Sequence, residues 1–233
     1  MPTFALIAPT PIESKELRTE ISPVPAEELK IISEGELHGK SIVIAHCGVG
    51  KVNAAHSATL MLENYNIDAL ILFGIAGAYS GKVGDVAVAK NENYGEEGVL
   101  TKEGWSSMEV ISPLLKNGKK YFNTFPMDLK LSQLAVKVSA DLDFNVTSGN
   151  FITVSQCSGT REVGEIMKKR HNGICENMEG AAVAHICTQY SIPMVEIRGI
   201  SNIIEDRDLR KWNIPLAASH VNKVVSEMVK RLK

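Results

Sequence analysis

The sequence NMEGAA at residues 177–182 decides the fold prediction for this chain. Within it, Glu179 stands directly before a run of small apolar residues that continues to Cys187. This pattern predicts a buried helix with Glu179 in its first turn, where the positive end of the helix dipole favours a carboxylate. The local sequence leaves open whether Glu179 only begins a helix or also serves a functional site.

A second stretch, MVEIRGISN at residues 194–202, predicts a strand. It follows Pro193, and its last residues, Ser201 and Asn202, are polar. Ligands of open α/β sheets bind where strands end. The two stretches together therefore predict a site where this strand end lies near the start of the helix.

Both stretches resemble the purine nucleoside phosphorylase and nucleosidase superfamily, and within it the futalosine hydrolases. The related methylthioadenosine/S-adenosylhomocysteine nucleosidases share Met-Glu-Gly-Ala-Ala but end the later strand in Ile-Ser-Asp. This chain ends that strand in Ile-Ser-Asn at residues 200–202, and Arg207, Asp208 and Trp212 follow, as in futalosine hydrolases. The resemblance extends from residue 5 to about residue 233 and is weak in the segment 91–130.

Composition and charge exclude several classes of function. Apolar residues make up 44% of the 233 positions and charged residues 22%, which is an ordinary globular balance. The net charge of -2 gives no strong attraction to nucleic acid or to an anionic membrane. The first residues lack a basic leader, and no apolar run reaches the ~20 residues of a membrane span. We therefore expect a cytoplasmic protein.

Cysteine and histidine spacing gives no sign of a metal site. The cysteines form no CxxC pair and no metal-ligand spacing, so we expect reduced core thiols: Cys47, Cys157, Cys175 and Cys187. The six histidines show no metal-ligand spacing either. We expect neither a metal nor a cofactor.

Strands and helices alternate along the chain, which is typical of an α/β sandwich. The resemblance implies a three-layer α/β/α sandwich around a twisted mixed sheet, built by a single nucleosidase domain over residues 1–233. The sequence predicts strands at 3–8, 37–46, 69–73, 86–89, 148–154 and 194–202, and the main helices at 51–63, 132–139, 160–170, 181–187 and 215–232. Residues 91–130 are irregular, and the sequence leaves open whether they form a specificity loop or an insertion.

Two acidic residues are the candidates for chemistry on a ribose. Glu13 follows the first predicted strand; on local sequence it is a solvated helix-start acid, whereas the resemblance implies the carboxylate that activates water. Glu179 would accept hydrogen bonds from ribose hydroxyls, because an ionised carboxylate has only acceptors. The resemblance also implies that Met178 packs against the sugar.

The glycine-rich segment at residues 74–78 predicts a turn whose backbone approaches a ligand closely. The resemblance suggests a floor at Ala76 and Gly77, near the ribose and the attacking water. Phosphorolytic relatives carry an arginine just before this segment, and Leu72 stands in its place here. An apolar residue cannot hold phosphate, so we expect water to be the nucleophile.

Asn202 is the residue expected to hydrogen-bond the leaving base. Adenine nucleosidases use an aspartate at the matching position. An amide NH₂ can donate to both N7 and O6 of a 6-oxopurine such as hypoxanthine, whereas an ionised carboxylate would repel O6. The resemblance also implies that Phe151 stacks on the base and that Ile152 bonds it through the backbone.

Three further residues complete the predicted substrate site. Ser201 is assigned to substrate binding with Arg198 and Arg207. Arg207 is a candidate partner for the carboxylate of futalosine, although a structural ion pair is an equally good interpretation of either arginine.

These residues predict a futalosine-hydrolysing enzyme that releases hypoxanthine in menaquinone biosynthesis. The alternative is an adenine-releasing nucleosidase acting on methylthioadenosine, S-adenosylhomocysteine or aminodeoxyfutalosine. A phosphorylase of 6-oxopurine nucleosides is disfavoured by Leu72, and a non-catalytic nucleoside-binding protein would not need Glu13. The expected partner is a small nucleoside, with no nucleic acid or membrane, and the resemblance suggests a homo-oligomer.

Overall fold

The computed structural model describes residues 2–23 and 32–233, and within these ranges nine strands form one mixed sheet. Its strands are β1 (Thr3–Ala8), β2 (Ile32–Leu37), β3 (Lys40–His46), β4 (Ala69–Ala78), β5 (Val86–Tyr94), β10 (Thr124–Pro126), β11 (Val146–Thr153), β12 (Gly173–Asn177) and β13 (Met194–Ile203). Two separate hairpins pair β6 (Val99–Thr101) with β7 (Gly104–Ser106), and β8 (Leu114–Lys116) with β9 (Lys119–Tyr121). The helices are α1 (Lys15–Glu20), α2 (Lys51–Asn64), α3 (Leu129–Asp141), α4 (Arg161–His171), α5 (Gly180–Tyr190) and α6 (Ile214–Arg231).

Strand β4 is the centre of the sheet. Strand β1 runs parallel to its first half on one edge, and β12 runs antiparallel to its last residues on the same edge. Strand β13 runs parallel to β4 along the other edge. The far edge of β13 pairs antiparallel with β5. Because β5 also pairs with β11, and β11 with β12, five of the strands close into a ring. This closure brings the last residues of β4, β12 and β13 together.

Helices cover both faces of the sheet. One apolar core lies between the sheet and helices α2 and α5, and a second lies between the sheet and helices α1, α3 and α6. Strands that are buried on both faces are continuous apolar runs, as in β1 and β4. The predicted α/β/α sandwich is confirmed. In the described residues, every helix is too short or too polar to cross a membrane.

The structure corrects two expectations about where strands end. Residues 74–78 are predicted as a turn, but β4 continues through them to Ala78. Residues 91–130 are predicted as irregular, but they contain the end of β5, the five short strands from β6 to β10 and the start of α3. The predicted helix at 215–232 is α6, whose first turn holds a proline and is capped by the side chain of Asn213.

Candidate active site

A cavity of about 480 Å³ lies where β4, β12 and β13 end beside the turn after β1. This volume is in the range of small-molecule sites. The cavity is lined by Pro9, Thr10, Ile12, Glu13, Val49, Ile75, Ala76, Gly77, Cys157, Ser158, Glu176, Asn177, Met178, Glu179, Arg198, Ser201, Asn202, Arg207, Trp212 and Ile214. Nine of the eleven residues predicted from the sequence are among them.

Glu13 lies in the turn between β1 and α1 and is almost fully buried. Its Oε1 accepts the backbone N–H of Ile75 at 2.9 Å, and its Oε2 accepts the hydroxyl of Thr10 at 2.7 Å. The amide of Asn222 on α6 donates to its carbonyl oxygen at 2.6 Å, which fixes the turn to that helix. Burial raises the pKa of Glu13, and the nearby guanidinium of Arg198 partly opposes this. A carboxylate oriented in this way is suited to accept a proton from water.

Glycine at position 74 is required by the packing around this carboxylate. A Cβ on Gly74 would lie 2.5 Å from Oε1 of Glu13 and 2.8 Å from Nη1 of Arg198. Any side chain there would displace one of these groups. The glycine inside β4 therefore permits close approach and does not form a turn.

Glu179 is the residue directly before α5. The side-chain oxygen of Asn177 accepts hydrogen bonds from the backbone N–H groups of Glu179 and Gly180, at 2.9 and 2.7 Å, and so holds the turn that leads into the helix. Oε1 of Glu179 accepts the backbone N–H of Gly50 at 3.0 Å, and Oε2 accepts Nη2 of Arg198 at 3.2 Å. The glycine-rich stretch before α2 therefore binds a carboxylate of the protein itself.

Arg198 is fully buried behind this site and joins three groups. Its Nε donates to Glu196 at 2.7 Å, its Nη1 donates to the carbonyl of Ile75 at 3.2 Å, and its Nη2 donates to Glu179. Burial alone would lower the pKa of Arg198, but the facing carboxylates of Glu196 and Glu179 outweigh it and raise the pKa above its ordinary value. Beside Glu196 lies Glu92, which is also fully buried. Burial raises the pKa of both acids. The carboxyl of Glu196 raises the pKa of Glu92 further, whereas Arg198 partly opposes the rise at Glu196.

Asn202 is held by its neighbour on β13. The hydroxyl of Ser201 donates to Oδ1 of Asn202 at 2.8 Å and lies 3.2 Å from the carbonyl of Ala76. The amide NH₂ of Asn202 is thereby left for the cavity. A Cβ on Gly77 would lie only 3.1 Å from that nitrogen, so glycine gives the amide its room.

The remaining cavity residues lie at its two sides. Met178 lines the wall, and its Sδ lies 3.5 Å from Sγ of Cys157. Arg207 lies over the ring of Trp212, with 4.9 Å between its guanidinium carbon and the ring centroid. Cys157 is exposed, which corrects the expectation that it is a core thiol; the other three cysteines are buried.

Phe151 and Ile152 do not line the cavity. Both are fully buried on β11, Phe151 in the core under α5 and Ile152 against Tyr79 and Val154. Strand β11 belongs to the closed ring, so both of its faces are covered there. This corrects the expected position of the base-stacking pair, because the chain reaches the cavity only beyond β11, at residues 157–158.

Sequence reasoning gave no role to several residues that build the site. Glu176 and Ser158 line the cavity, Glu196 accepts a hydrogen bond from Arg198, and Glu92 is hydrogen-bonded by Asn177 and Thr153. The signal for Glu196 is present in the sequence, because an acid between Val195 and Ile197 interrupts an otherwise apolar strand.

The arrangement suits chemistry on a sugar. Glu13 and Glu179 border one cavity, and such carboxylates stabilise the positive charge that develops on a sugar when its glycosidic bond breaks. Among the described lining residues, the only cations are Arg198, which two carboxylates neutralise, and Arg207. In the described ranges, no group of three His, Cys, Asp or Glu side chains could hold a metal ion.

Comparisons with known proteins agree with this geometry. The model of the phosphorylase superfamily matches residues 3–230. A 5'-methylthioadenosine/S-adenosylhomocysteine nucleosidase of Baumannia cicadellinicola is 30% identical over 207 residues, 86% of each chain. A futalosine hydrolase of Thermus thermophilus is 30% identical over 229 residues, 97% of this chain and 95% of the relative. The methylthioadenosine/S-adenosylhomocysteine nucleosidase of Neisseria meningitidis, solved with methylthio-immucillin-A, has a TM-score of 0.86 at 26% identity, with full coverage of both chains.

The chain belongs to the phosphorylase superfamily. Its relatives are nucleosidases, which hydrolyse N-glycosidic bonds, and the prediction of an N-glycosyl hydrolase is confirmed. The two groups of relatives are equally identical to the chain in sequence, so the choice of base and sugar substituent depends on the site.

Proposed function

We propose that this enzyme hydrolyses the N-glycosidic bond of futalosine, releasing hypoxanthine and dehypoxanthine futalosine, in menaquinone biosynthesis. The observation that carries this choice is the amide of Asn202. Its oxygen lies within hydrogen-bond distance of the hydroxyl of Ser201, and no hydrogen bond from its NH₂ to a described residue is formed, so this NH₂ can donate to the base. That donor suits N7 and O6 of hypoxanthine, which both accept.

In the proposed reaction, Glu13 removes a proton from a water molecule that attacks the ribose C1′. Glu179 accepts hydrogen bonds from the ribose hydroxyls, and Met178 packs against the sugar. Asn202 stabilises the negative charge on the leaving base by donating to it. Water is favoured over phosphate because Arg198 is neutralised by Glu179 and Glu196 and because Leu72 is buried in the core.

Arg207 is proposed to pair with the carboxylate of the benzoate side of futalosine. Its guanidinium lies at the cavity and is oriented by stacking on Trp212. Arginine pairs well with a carboxylate because it can donate two parallel hydrogen bonds. A methylthio group offers no such partner.

The second candidate is an adenine-releasing nucleosidase. The relative from Baumannia cicadellinicola and the structure from Neisseria meningitidis favour it, since both carry that activity in their names. The two candidates differ in the base that is released, which is hypoxanthine for futalosine and adenine for the alternative substrates.

The direct test incubates the purified enzyme with futalosine in phosphate-free buffer containing EDTA and measures hypoxanthine by chromatography. We expect release of hypoxanthine at an unchanged rate when phosphate or metal is absent. Phosphate-dependent formation of a sugar 1-phosphate, or preferential cleavage of adenine nucleosides, would contradict the proposal.

Asn202→Asp tests the base assignment more narrowly. We expect wild type to prefer futalosine over aminodeoxyfutalosine, and the variant to lose about 5- to 150-fold of that preference, because an acceptor then faces O6. The measurement is the ratio of kcat/KM for the two substrates at one pH. An unchanged ratio would show that Asn202 does not read the base.

A further inference from the structure

Glu176 is a buried acid that lines the cavity and that the proposed reaction does not use. Its position follows from strand register. Gly77 on β4 pairs with Glu176 on β12 and with Asn202 on β13. Paired residues of neighbouring strands project to the same face of a sheet, and adjacent strands lie about 4.8 Å apart. Glu176 and Asn202 therefore stand on the two sides of Gly77, with Cα atoms roughly 10 Å apart.

A Cβ on Gly77 would lie 3.1 Å from the amide nitrogen of Asn202, so the glycine lets this amide lie close to β4. Gly77, Asn202 and Glu176 line the same cavity, so a flat ring bound there would meet Asn202 at one edge and Glu176 at another. At the edge near Asn202, a bound ring meets the amide NH₂, a donor, because the hydroxyl of Ser201 bonds the amide oxygen. Whether the opposite edge meets a donor or an acceptor depends on the protonation of Glu176.

In every described hydrogen bond of Glu176, the carboxyl oxygen is the acceptor. Oε1 accepts the backbone N–H of Ser158 at 2.7 Å, and Oε2 accepts the Ser158 hydroxyl at 2.7 Å and the Tyr79 hydroxyl at 3.3 Å. These donors favour the ionised carboxylate, and the Ser158 hydrogen bonds oppose the rise in the pKa of Glu176 that burial causes. Among the described ion pairs, none involves Glu176. A carboxylate has about four acceptor positions, so one remains for a ligand.

The purine bases differ at the atoms these two side chains would meet. Along one edge, hypoxanthine carries N7 and O6, which accept, and then N1–H, which donates. Adenine carries N7, which accepts, an amino group, which donates, and then N1, which accepts. A donor at Asn202 with an acceptor at Glu176 matches the first order and opposes the second.

We infer that Glu176 is a specificity-determining residue that accepts a hydrogen bond from N1–H of a 6-oxopurine, across Gly77 from Asn202. The inference rests on the proposed function and extends it, since two side chains from different strands then read the same difference between the bases. An ionised Glu176 opposite the lone pair of adenine N1 rejects that base. The recognition of hypoxanthine therefore depends on both β12 and β13.

The test is Glu176→Gln, which keeps the size of the side chain and removes its charge. Because Ser158 N–H requires an acceptor, the amide oxygen of the variant takes the place of Oε1, and the NH₂ takes the place of Oε2 and donates to the hydroxyls of Ser158 and Tyr79, which can also accept. The base then meets a neutral acceptor in place of a carboxylate, so we expect kcat/KM for futalosine relative to aminodeoxyfutalosine to fall about 5- to 10-fold. Glu165→Gln on α4, an acid outside the cavity, is the matched control and should leave the ratio unchanged.

A measurement on the wild-type enzyme keeps the test independent of how the variant folds. Free hypoxanthine should inhibit at least ten times more strongly than 1-methylhypoxanthine, which lacks the N1 proton, because an unpaired buried acceptor costs on the order of a tenfold change in binding. Equal inhibition by the two bases would overturn the inference, as would an unchanged substrate ratio in a folded Glu176→Gln enzyme.

The proposed function and the role of Glu176 are distinguished by different results. If wild type does not cleave futalosine, or cleaves aminodeoxyfutalosine faster, the proposed function is wrong and the role of Glu176 falls with it. If wild type prefers futalosine but Glu176→Gln keeps that preference, only the role of Glu176 is wrong.

Discussion

At the scale of single residues, the proposed base Glu13 has the simplest expected phenotype. Glu13→Gln preserves size and most hydrogen bonds but cannot accept a proton, so kcat should fall by about 10²–10⁴-fold while KM changes little. Steady-state kinetics on futalosine measures both constants. Glu16→Gln on the neighbouring helix α1 is the control and should have normal turnover. Normal turnover in Glu13→Gln would remove this residue from the mechanism.

The sequence predicts which residues belong to the candidate site where polar groups interrupt apolar strands or follow them. Glu13, Glu179 and Asn202 all line one cavity, as their places after or at the ends of strands indicate. The position of Phe151 could not be predicted in this way. An aromatic residue on a strand packs either into the core or against a ligand, and the sequence does not show which part of β11 is enclosed by the ring.

Glu92 and Glu196 were not predicted as part of the site, for a different reason. Glu92 bonds Thr153 and Asn177, which are far from it in sequence, and Glu196 pairs with Arg198 two residues away on β13. Same-face neighbours on a strand are two residues apart, so the second pair could have been predicted. The first depends on ring closure between strands that are distant along the chain.

At the scale of elements, the start of α5 is the most sensitive point. A Cβ on Gly180 would overlap the carboxyl oxygens of Glu92 and Glu196. Gly180→Ala should therefore destabilise the protein by about 1–3 kcal/mol, the usual cost of forcing atoms into a packed interior, although alanine favours helices. Thermal unfolding should show a lower midpoint.

The control for this prediction is Gly159→Ala. A Cβ on Gly159 would meet nothing within 4 Å, and its φ is not in the left-handed region. We expect a midpoint within the error of wild type. If Gly180→Ala were equally harmless, the acid pair would have to be able to move away from the helix.

Element boundaries show why glycine is an ambiguous signal. The glycines of residues 74–78 predict a turn, yet β4 passes through them because Gly74 makes room for Glu13 and Gly77 for Asn202. A turn and a close approach both require the absence of a side chain. Only the positions of groups far along the chain distinguish the two cases.

At the scale of the whole molecule, alternating strands and helices predict an α/β sandwich from local apolar patterns, and the family resemblance implies its three layers. The closed ring was not predicted. It depends on β13 pairing with both β4 and β5, and on β12 continuing the edge of β4 beyond β1. The functional cavity depends on this non-local part of the fold, since it lies where those strands end.

The buried charges give the whole protein a pH-dependent stability, which Glu92→Gln isolates. Burial and Glu196 raise the pKa of Glu92 in the folded state, so above the unfolded value of 4.5 the folded protein binds more protons than the unfolded chain. The contribution of Glu92 to stability is then fully present below pH 4.5 and declines as pH rises toward the folded pKa. Glutamine does not titrate. The free energy of unfolding of the variant minus that of wild type should therefore increase with pH, by at most about 1.4 kcal/mol per unit.

Urea unfolding of both proteins at several values between about pH 5 and pH 8 measures this slope. The variant also exchanges an acceptor for a donor beside Asn177, which shifts the difference by a constant; the slope is unaffected by that shift. Glu103→Gln, on an exposed side chain, provides a flat reference. A flat difference for Glu92→Gln as well would mean that Glu92 ionises normally when folded.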